Sequence, residues 1–527
     1  MSEPVADAEP RGQAPAGQAP WPGSHGMPRW DLGTLPRAPA FDRRALAAML
    51  GPGLILAGSS IGGGEWLLGP AVAAQYGGAL LWVATLSILS QFVYNVEASR
   101  YALYTGEPIM TGKFRTLPGP GFWLAVYMVL DLGALLPYQI GSVATPLLGI
   151  WQGELPRPGT VDTGILRWLS YGLLAFALTP LVFGGKVYNA LKTVMTVKIV
   201  VVFGFLLVLA FGYSTAGTWR EIGLGLLRFG EIPLGEGRTA NVLGALAGTQ
   251  AMGRPDRDAM LLMTAFAAIA GVGGLAQTSI SNYTRDQGWG MGARVGAIPS
   301  FIGGRAFQLS HVGMIFSPTA DALRQWRGWM AQVLRDQLLV WVPASFVGLA
   351  LPAMLSVEFL PRGTVAETWS LAGLTAGGVQ TRVGGALGDA AWFMILLCAL
   401  LVIVPNTTSA ADAFIRRWVE VSWTGLRRLR RWDPRRIRTL YFAVLAAYFA
   451  VGLFFLSIAR PLWLIVAYGN LGNFVLGVSC WHVLYVNLTL LPPEVRPGWA
   501  PRIGLFLGGL YFLSLALLTL AVAMRWL

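Results

Sequence analysis

The sequence predicts an all-α integral membrane protein, built from two sets of five helices in an inverted repeat with a further helix at the end. Three observations carry this reading. Apolar residues make up 54% of the chain and charged residues 12%, against roughly 25% charged in a soluble domain. Eleven apolar segments are continuous and long enough to cross a bilayer. Two of them, the first and the sixth, are interrupted by glycine clusters. The composition excludes a soluble enzyme, a disordered scaffold and a secreted disulfide protein. A membrane barrel is excluded because its strands would alternate apolar and polar residues.

Residues 1–42 are rich in Pro, Gly and Ala and lack a signal-peptide core, so they read as a disordered cytosolic tail. The spans lie near 45–76, 78–104, 120–149, 166–184, 190–213, 258–284, 336–357, 386–412, 438–459, 461–490 and 502–525. The first five form repeat 1 over 43–213. An extracytoplasmic loop follows over 214–257. Spans 6 to 10 form repeat 2 over 258–490, with cytosolic loops at 286–335 and 413–437, and 491–527 forms helix 11. The loop at 286–335 contains GWGMGARVG and FIGG, which read equally as a gate or a plain connector.

Orientation follows from the basic residues of the loops. One set of loops carries Lys113 and Arg115, Lys186, then Arg285, Arg294, Arg305, Arg324 and Arg327, then an Arg-rich run, then Arg496 and Arg502. The other set is mixed in sign, with Glu154, Arg157 and Asp162, then Arg220, Glu221, Arg228 and Glu231, then Glu358, Arg362 and Glu367. The chain is therefore expected in the plasma (inner) membrane, N-terminus cytosolic and C-terminus outside. Residues 413–440 hold nine Arg against two acids. Lying between two apolar helices, this run reports topology and implies no nucleic-acid partner. Cys398 and Cys480 lie in apolar stretches and read as packing residues. His25, His311 and His482 each stand alone.

Span 1 reads Ile61-Gly62-Gly63-Gly64-Glu65, and span 6 reads Ala270-Gly271-Val272-Gly273-Gly274. Each glycine costs a helix about 1 kcal/mol relative to Ala, so such clusters should unwind it. Unwound backbone at membrane depth survives only where protein or a watery cavity satisfies it. Two clusters heading two five-helix sets fit an inverted-repeat transporter whose broken helices face one central site. Small residues for close helix packing are the other reading. Glu65 stands beside the first break as a hard oxygen ligand suited to Mg, Ca, Mn or a proton. A structural carboxylate capping the second half-helix is its other reading. Glu97 and Arg100, three apart on span 2, share a face and can pair. Asp131 on span 3 has no local partner and is a candidate proton relay. Asp286 and Asp412 read as interfacial.

Several stretches are similar to a known family. Gly51-Pro52-Gly53-Leu54, Gly62-Gly63-Gly64-Glu65-Trp66, Gln75-Tyr76-Gly77 and Leu81-Trp82 resemble the first helix and following turn of the Nramp family. Arg100 and Thr105-Gly106 resemble its second helix. The resemblance is most specific over 51–106 and co-linear, more weakly, through the eleven spans. It implies the LeuT-type inverted-repeat fold and proton-coupled transport of a divalent metal. Members carry Asp-Pro-Gly-Asn in the first helix and Met-Pro-His in the sixth, and the Asp, Asn and Met bind the metal. Here Gly62 stands at the Asp, Gly63 at the Pro and Glu65 at the Asn, while Gly273, Gly274 and Leu275 stand at Met-Pro-His. The soft thioether is missing. Asp131 falls on the span where the family places part of its proton route.

The expected activity is proton-linked transport of a divalent cation by alternating access. Glu65 would be the metal ligand, and Gly62, Gly64, Gly271, Gly273 and Gln277 would complete the substrate site. Asp131, Glu97 and Arg100 would serve proton relay or gating. Without sulfur, a partly hydrated hard ion such as Mg²⁺ or Mn²⁺ suits the site. The second reading is a small organic solute, amino-acid-like, held by half-helix N-termini, with Gln277, Ser279 and Asn282 as polar contacts. A membrane enzyme is disfavoured, since no metalloprotease pattern or nucleophile–His pair occurs. The implied partners are the lipid bilayer and the small ion or solute, with a monomer as the unit and no resident cofactor.

Overall fold

The computed structural model describes residues 26–39, 53, 56, 58, 62–156, 162–183, 187–251, 253–296, 312–365, 371–426, 428–432, 436–458 and 460–524. The tail to residue 25, most of the first half of span 1, the FIGG sequence, Arg157, Lys186, Arg305, Glu367, His25 and His311 lie outside them.

Among the described residues, nine helices are long and apolar enough to cross a membrane. They match spans 3 to 11. Spans 1 and 2 appear as a pair, Glu65–Leu80 and Trp82–Thr105, bent by 97°. The second half of span 1 is a π-helical turn, Gly63–Leu68, running into α1 (Gly69–Tyr76). Then come α2 (Trp82–Thr105), the short α3 (Ile109–Phe114), and span 3 in two pieces, α4 (Pro120–Leu130) and α5 (Ala144–Gln152). Helices α6 (Thr163–Phe183) and α7 (Val187–Tyr213) complete the first set. Span 6 is split into α8 (Arg257–Ile269) and α9 (Ser279–Asp286). Span 7 is α10 (Ala320–Asp336), a π turn and α11 (Val342–Phe359). The rest are α12 (Gly385–Gly425), α13 (Ile437–Ile458), α14 (Pro461–Leu490) and α15 (Trp499–Ala523).

Span 1's second half packs on α11, α8 on α14, and α12 touches α5, α6, α7 and α13. The broken helices are thus enclosed by α2, α11, α12 and α14. Among the described residues, Met291 meets Leu103 and Arg100 meets Val495 at one end, which we call inner, and Glu221 meets Gly78 and Arg362 at the other, which we call outer. At the outer end Glu221 accepts from Gly78 N–H at 3.0 Å and pairs with Arg362 at 2.7 Å. A hairpin of β2 (Glu231–Pro233) and β3 (Thr239–Asn241) lies in the loop expected at 214–257.

Three expectations are corrected at the inner end. Residues 26–39, placed in a disordered tail, form an ordered strap. Its strand β1 (Asp31–Gly33) pairs in parallel with β4 (Met314–Phe316), in register Asp31 to Met314. Arg115 donates to Pro28 O at 2.6 Å, Ala38 N–H to Gln325 Oε1 at 2.9 Å and Trp329 Nε1 to Pro36 O at 2.9 Å. Trp30 is buried against Tyr101, Tyr104 and the Arg115 guanidinium. The strap is fixed by one tryptophan and by backbone pairing, neither of which Pro- and Gly-rich composition reveals. The loop expected at 286–335 becomes helix from Ala320, and Met291 N–H ties its GWGMGARVG stretch to Leu103 O at 2.9 Å. The loop expected from 413 begins after Gly425, because α12 continues that far.

Candidate functional site: two helix breaks bridged by a carboxylate

The break in span 6 has a local cause. Ala270 leaves the helix, and Gly271, Gly273 and Gly274 take φ of +102°, +78° and +53°. A side chain is strained there, so the run of glycines permits the break. It frees backbone groups that must be satisfied without water. Gln91 of α2 does part of this, donating to Ala270 O at 2.7 Å and accepting from Val272 N–H at 3.1 Å.

Glu65 does the rest. Its side chain is fully buried. Oε1 accepts from Gly271 N–H at 2.7 Å, and Oε2 from Gly62 N–H at 3.3 Å. One carboxylate therefore joins both breaks, and Gly62, Glu65 and Gly271 meet as the sequence predicts. Gly64 lies in the π turn and Gly273 follows in the span 6 break.

Gly62 is small because another helix fills its side-chain space. A Cβ there would overlap the Asn406 amide of α12. Asn406, next to Pro405, donates to Gln139 Oε1 at 2.7 Å. Gln139 lies in the break between α4 and α5, which the sequence reading did not anticipate. Beside it Tyr138 stacks on Tyr468 of α14 at 3.9 Å, and a Cβ on Gly274 would lie 3.5 Å from the Tyr468 hydroxyl. On the other side Lys198 of α7 is buried, donates to Gly58 O at 2.6 Å and lies within electrostatic reach of Glu65. Gln91, Gln139, Asn406, Tyr468 and Lys198 all escaped sequence reasoning. Lys198, a lysine well inside the apolar span 190–213, carried a readable signal.

Gln277 is buried one turn beyond the break and bonds Asn95. Asn95 donates to Gln337 at 2.8 Å, Gln337 to Asp336 at 3.2 Å, and Asp336 accepts from Gly53 N–H at 2.7 Å. Gln277 thus heads a polar chain toward the inner end. Glu97 and Arg100 pair at 2.8 Å as expected. They tie α2 to Asn487 of α14 and to Val495 O, and among the described residues no bond links them to the breaks.

Asp131 has strong partners distant in sequence. Its Oδ2 accepts from Arg417 Nη2 at 2.7 Å, Arg417 Nε at 3.0 Å and Trp418 Nε1 at 2.8 Å. Arg417 also donates to Leu275 O at 3.1 Å, which links Asp131 to the span 6 break. Arg416 pairs with Asp412 and Asp286, and Arg285 with Asp286 and Glu420. These seven side chains are each at most 5% exposed. Asp286 and Asp412 are thus buried, where interfacial positions were expected. Arg416 and Arg417, counted in a cytosolic loop, lie inside the protein. Among the described residues no group of three or more His, Cys, Asp or Glu is placed to hold a metal ion. His482 is held by Thr116 at 2.9 Å and Tyr127 at 2.7 Å, and both cysteines are buried and free.

No protein-family model matches the sequence, and no curated protein matches it. Among solved structures, the chain is similar to the manganese transporter of Eremococcus coleocola. A mutant of that transporter shares 14% identity over 93% of this chain and 89% of that one, with a TM-score of 0.59. Its complex with an aromatic bis-isothiourea substituted compound gives 13% identity over 93% and 89%, with a TM-score of 0.58. At this identity the likeness shows the fold. The fold is the LeuT-type helical membrane architecture that the sequence predicts, and the Nramp resemblance holds at that level.

Proposed function

We propose that the protein is a secondary transporter that moves a hard divalent cation, Mg²⁺ or Mn²⁺, by alternating access, with protons as the coupling ion. The observation that carries this is Glu65, a buried carboxylate joining the breaks of spans 1 and 6. Glu65 and Gln91 bond the backbone of the breaks, and Asn406 and the Tyr468 hydroxyl lie against Gly62 and Gly274; all four offer hard oxygen donors. The fold likeness to a manganese transporter supports the same reading.

The geometry is consistent with one coupling mechanism. Loading a cation on Glu65 draws its oxygens away from the Gly62 and Gly271 N–H groups. Those two bonds hold span 1 to span 6, so cargo binding alters the contact between the moving halves. Asp131, bridged through Arg417 to Leu275 O, is the second carboxylate tied to the break and the candidate proton carrier. We assign the inner end to the cytosol, from the basic loops.

A small organic solute is the second reading. The two N–H bonds that already occupy Glu65 favour it, since they leave the carboxylate less available to a metal. Uptake of Mn²⁺ and Mg²⁺ into proteoliposomes, with wild type and Glu65→Ala side by side, tests the proposal. Saturable uptake that stops in the variant and falls when the pH gradient is collapsed is expected. No uptake of either ion by folded wild type would overturn it in favour of the organic solute.

A further inference from the structure

Helix α13 is 22 residues long, roughly 33 Å, which matches the hydrocarbon thickness of a bilayer. Its first residue, Ile437, therefore sits where hydrocarbon meets the lipid headgroups. Residues 426–436 link α12 to it. In sequence, 427–438 hold seven Arg and one acid, Asp433. Asp433 lies outside the described residues.

The described part of this link is compact. Arg428 precedes the 3₁₀ turn Leu429–Arg431, and Arg431 N–H returns to Arg428 O at 3.3 Å. Trp432 follows, and the Arg436 guanidinium lies 6.0 Å from its ring. Arg436 and Arg438 flank the first residue of α13. All four arginines are exposed. Among the described residues Arg428, Arg431 and Arg436 pair with no carboxylate. The buried arginines differ, since Arg115 holds Glu107, Arg285 holds Glu420, Arg416 holds Asp412 and Arg417 holds Asp131. The same link also shows apolar side chains, with Leu426 and Trp432 each 38% exposed.

We propose that Arg428, Arg431, Arg436 and Arg438, with Trp432 among them, form a binding site for the headgroup of an anionic phospholipid. The positive-inside rule asks only that basic residues stay on one side of the membrane. It requires neither cations without acid partners at the foot of a span nor an exposed tryptophan beside them. Guanidinium forks match phosphate oxygens. Tryptophan favours the headgroup level, where its ring meets acyl chains and its N–H stays wet. A basic cluster next to a span draws anionic lipid. The lipid's phosphate serves the arginines and its chains serve Trp432 and Leu426, whereas a soluble anion serves only the arginines. The site joins α12 at Gly425, so bound lipid steadies the helix that carries Asn406 and Arg417 to the breaks.

Native mass spectrometry of the full chain in detergent tests this, with dioleoyl phosphatidylglycerol or dioleoyl phosphatidylcholine titrated in. Wild type should hold phosphatidylglycerol about tenfold more tightly. An arginine near an anionic surface contributes roughly fivefold, so R428Q/R431Q/R436Q should bring the two lipids to near parity. Exposed substitutions of this kind leave folding almost unchanged. R220Q/R228Q removes two exposed arginines from the 214–257 loop and should keep the wild-type preference. Glycerol phosphate at millimolar concentration should not displace the lipid. Equal retention of both lipids by wild type would overturn the proposal, as would a preference that survives in the triple variant. A preference lost equally in R220Q/R228Q would assign it to overall charge, and displacement by glycerol phosphate would assign the arginines to a soluble anion; either result overturns the lipid site. The measurement does not depend on what the protein transports.

Discussion

At Glu65 two requirements meet: a carboxylate away from water needs partners, and two broken helices need their N–H groups satisfied. The side chain meets both at once. Gly62 beside it shows how the site departs from the family pattern. The family's Asp has no room here, because the Asn406 amide occupies its space. Gly62→Asp should therefore destabilise the protein by about 1–3 kcal/mol, the usual overpacking cost. Combining it with Asn406→Gly should recover much of that, a coupling typical of touching residues. Thermal denaturation in detergent measures both, and additive losses would show that the two positions do not share space. The glycine clusters and Glu65 were legible because their signal is local. Asn406 and Gln139 were not, since they are ordinary polar residues that meet across 267 positions of sequence.

At the scale of elements, α12 matters most. It brings Asn406 to the breaks and, further on, Arg416 and Arg417 to acids on two other segments, Asp286 of α9 and Asp131 beyond α4. Hydropathy ended this span at 412 because arginines began there. It could not see that Asp131 and Asp286 would neutralise them. Removing one partner of a buried pair leaves an uncompensated charge, whereas removing both is far less costly. Arg417→Met should cost about 3–5 kcal/mol. The double variant with Asp131→Asn should cost clearly less. If the double variant is as unstable as Arg417→Met, the pair is not what holds α12 to span 3. The strap at 26–39 gives the same lesson, since its order depends on a strand that pairs with Met314–Phe316, far along the chain.

At the scale of the whole molecule, the spans, the two sets of loops and the breaks in spans 1 and 6 were readable from hydropathy, charge and glycine. The break in span 3 was not, because Asp131–Leu135 and the turn beyond it contain no glycine cluster and read as one apolar stretch. The outer end carries a cavity between α1 and α8, and among the described residues the inner end carries the strap and the buried ion network. Glu65 itself is fully buried, so neither end opens onto the bridge. Inward opening must then disturb contacts at the inner end, and the Glu65 bridge is where cargo can start that change.

The central claim is that the cation binds at that bridge. Diffraction data collected at the manganese absorption edge, from crystals grown with Mn²⁺, test it directly. An anomalous peak is expected within coordinating distance of a Glu65 oxygen, between Gly62 and Gly271, and it should disappear in Glu65→Ala. A Mn²⁺-loaded crystal with no peak there, or with one that persists in the variant, would contradict it.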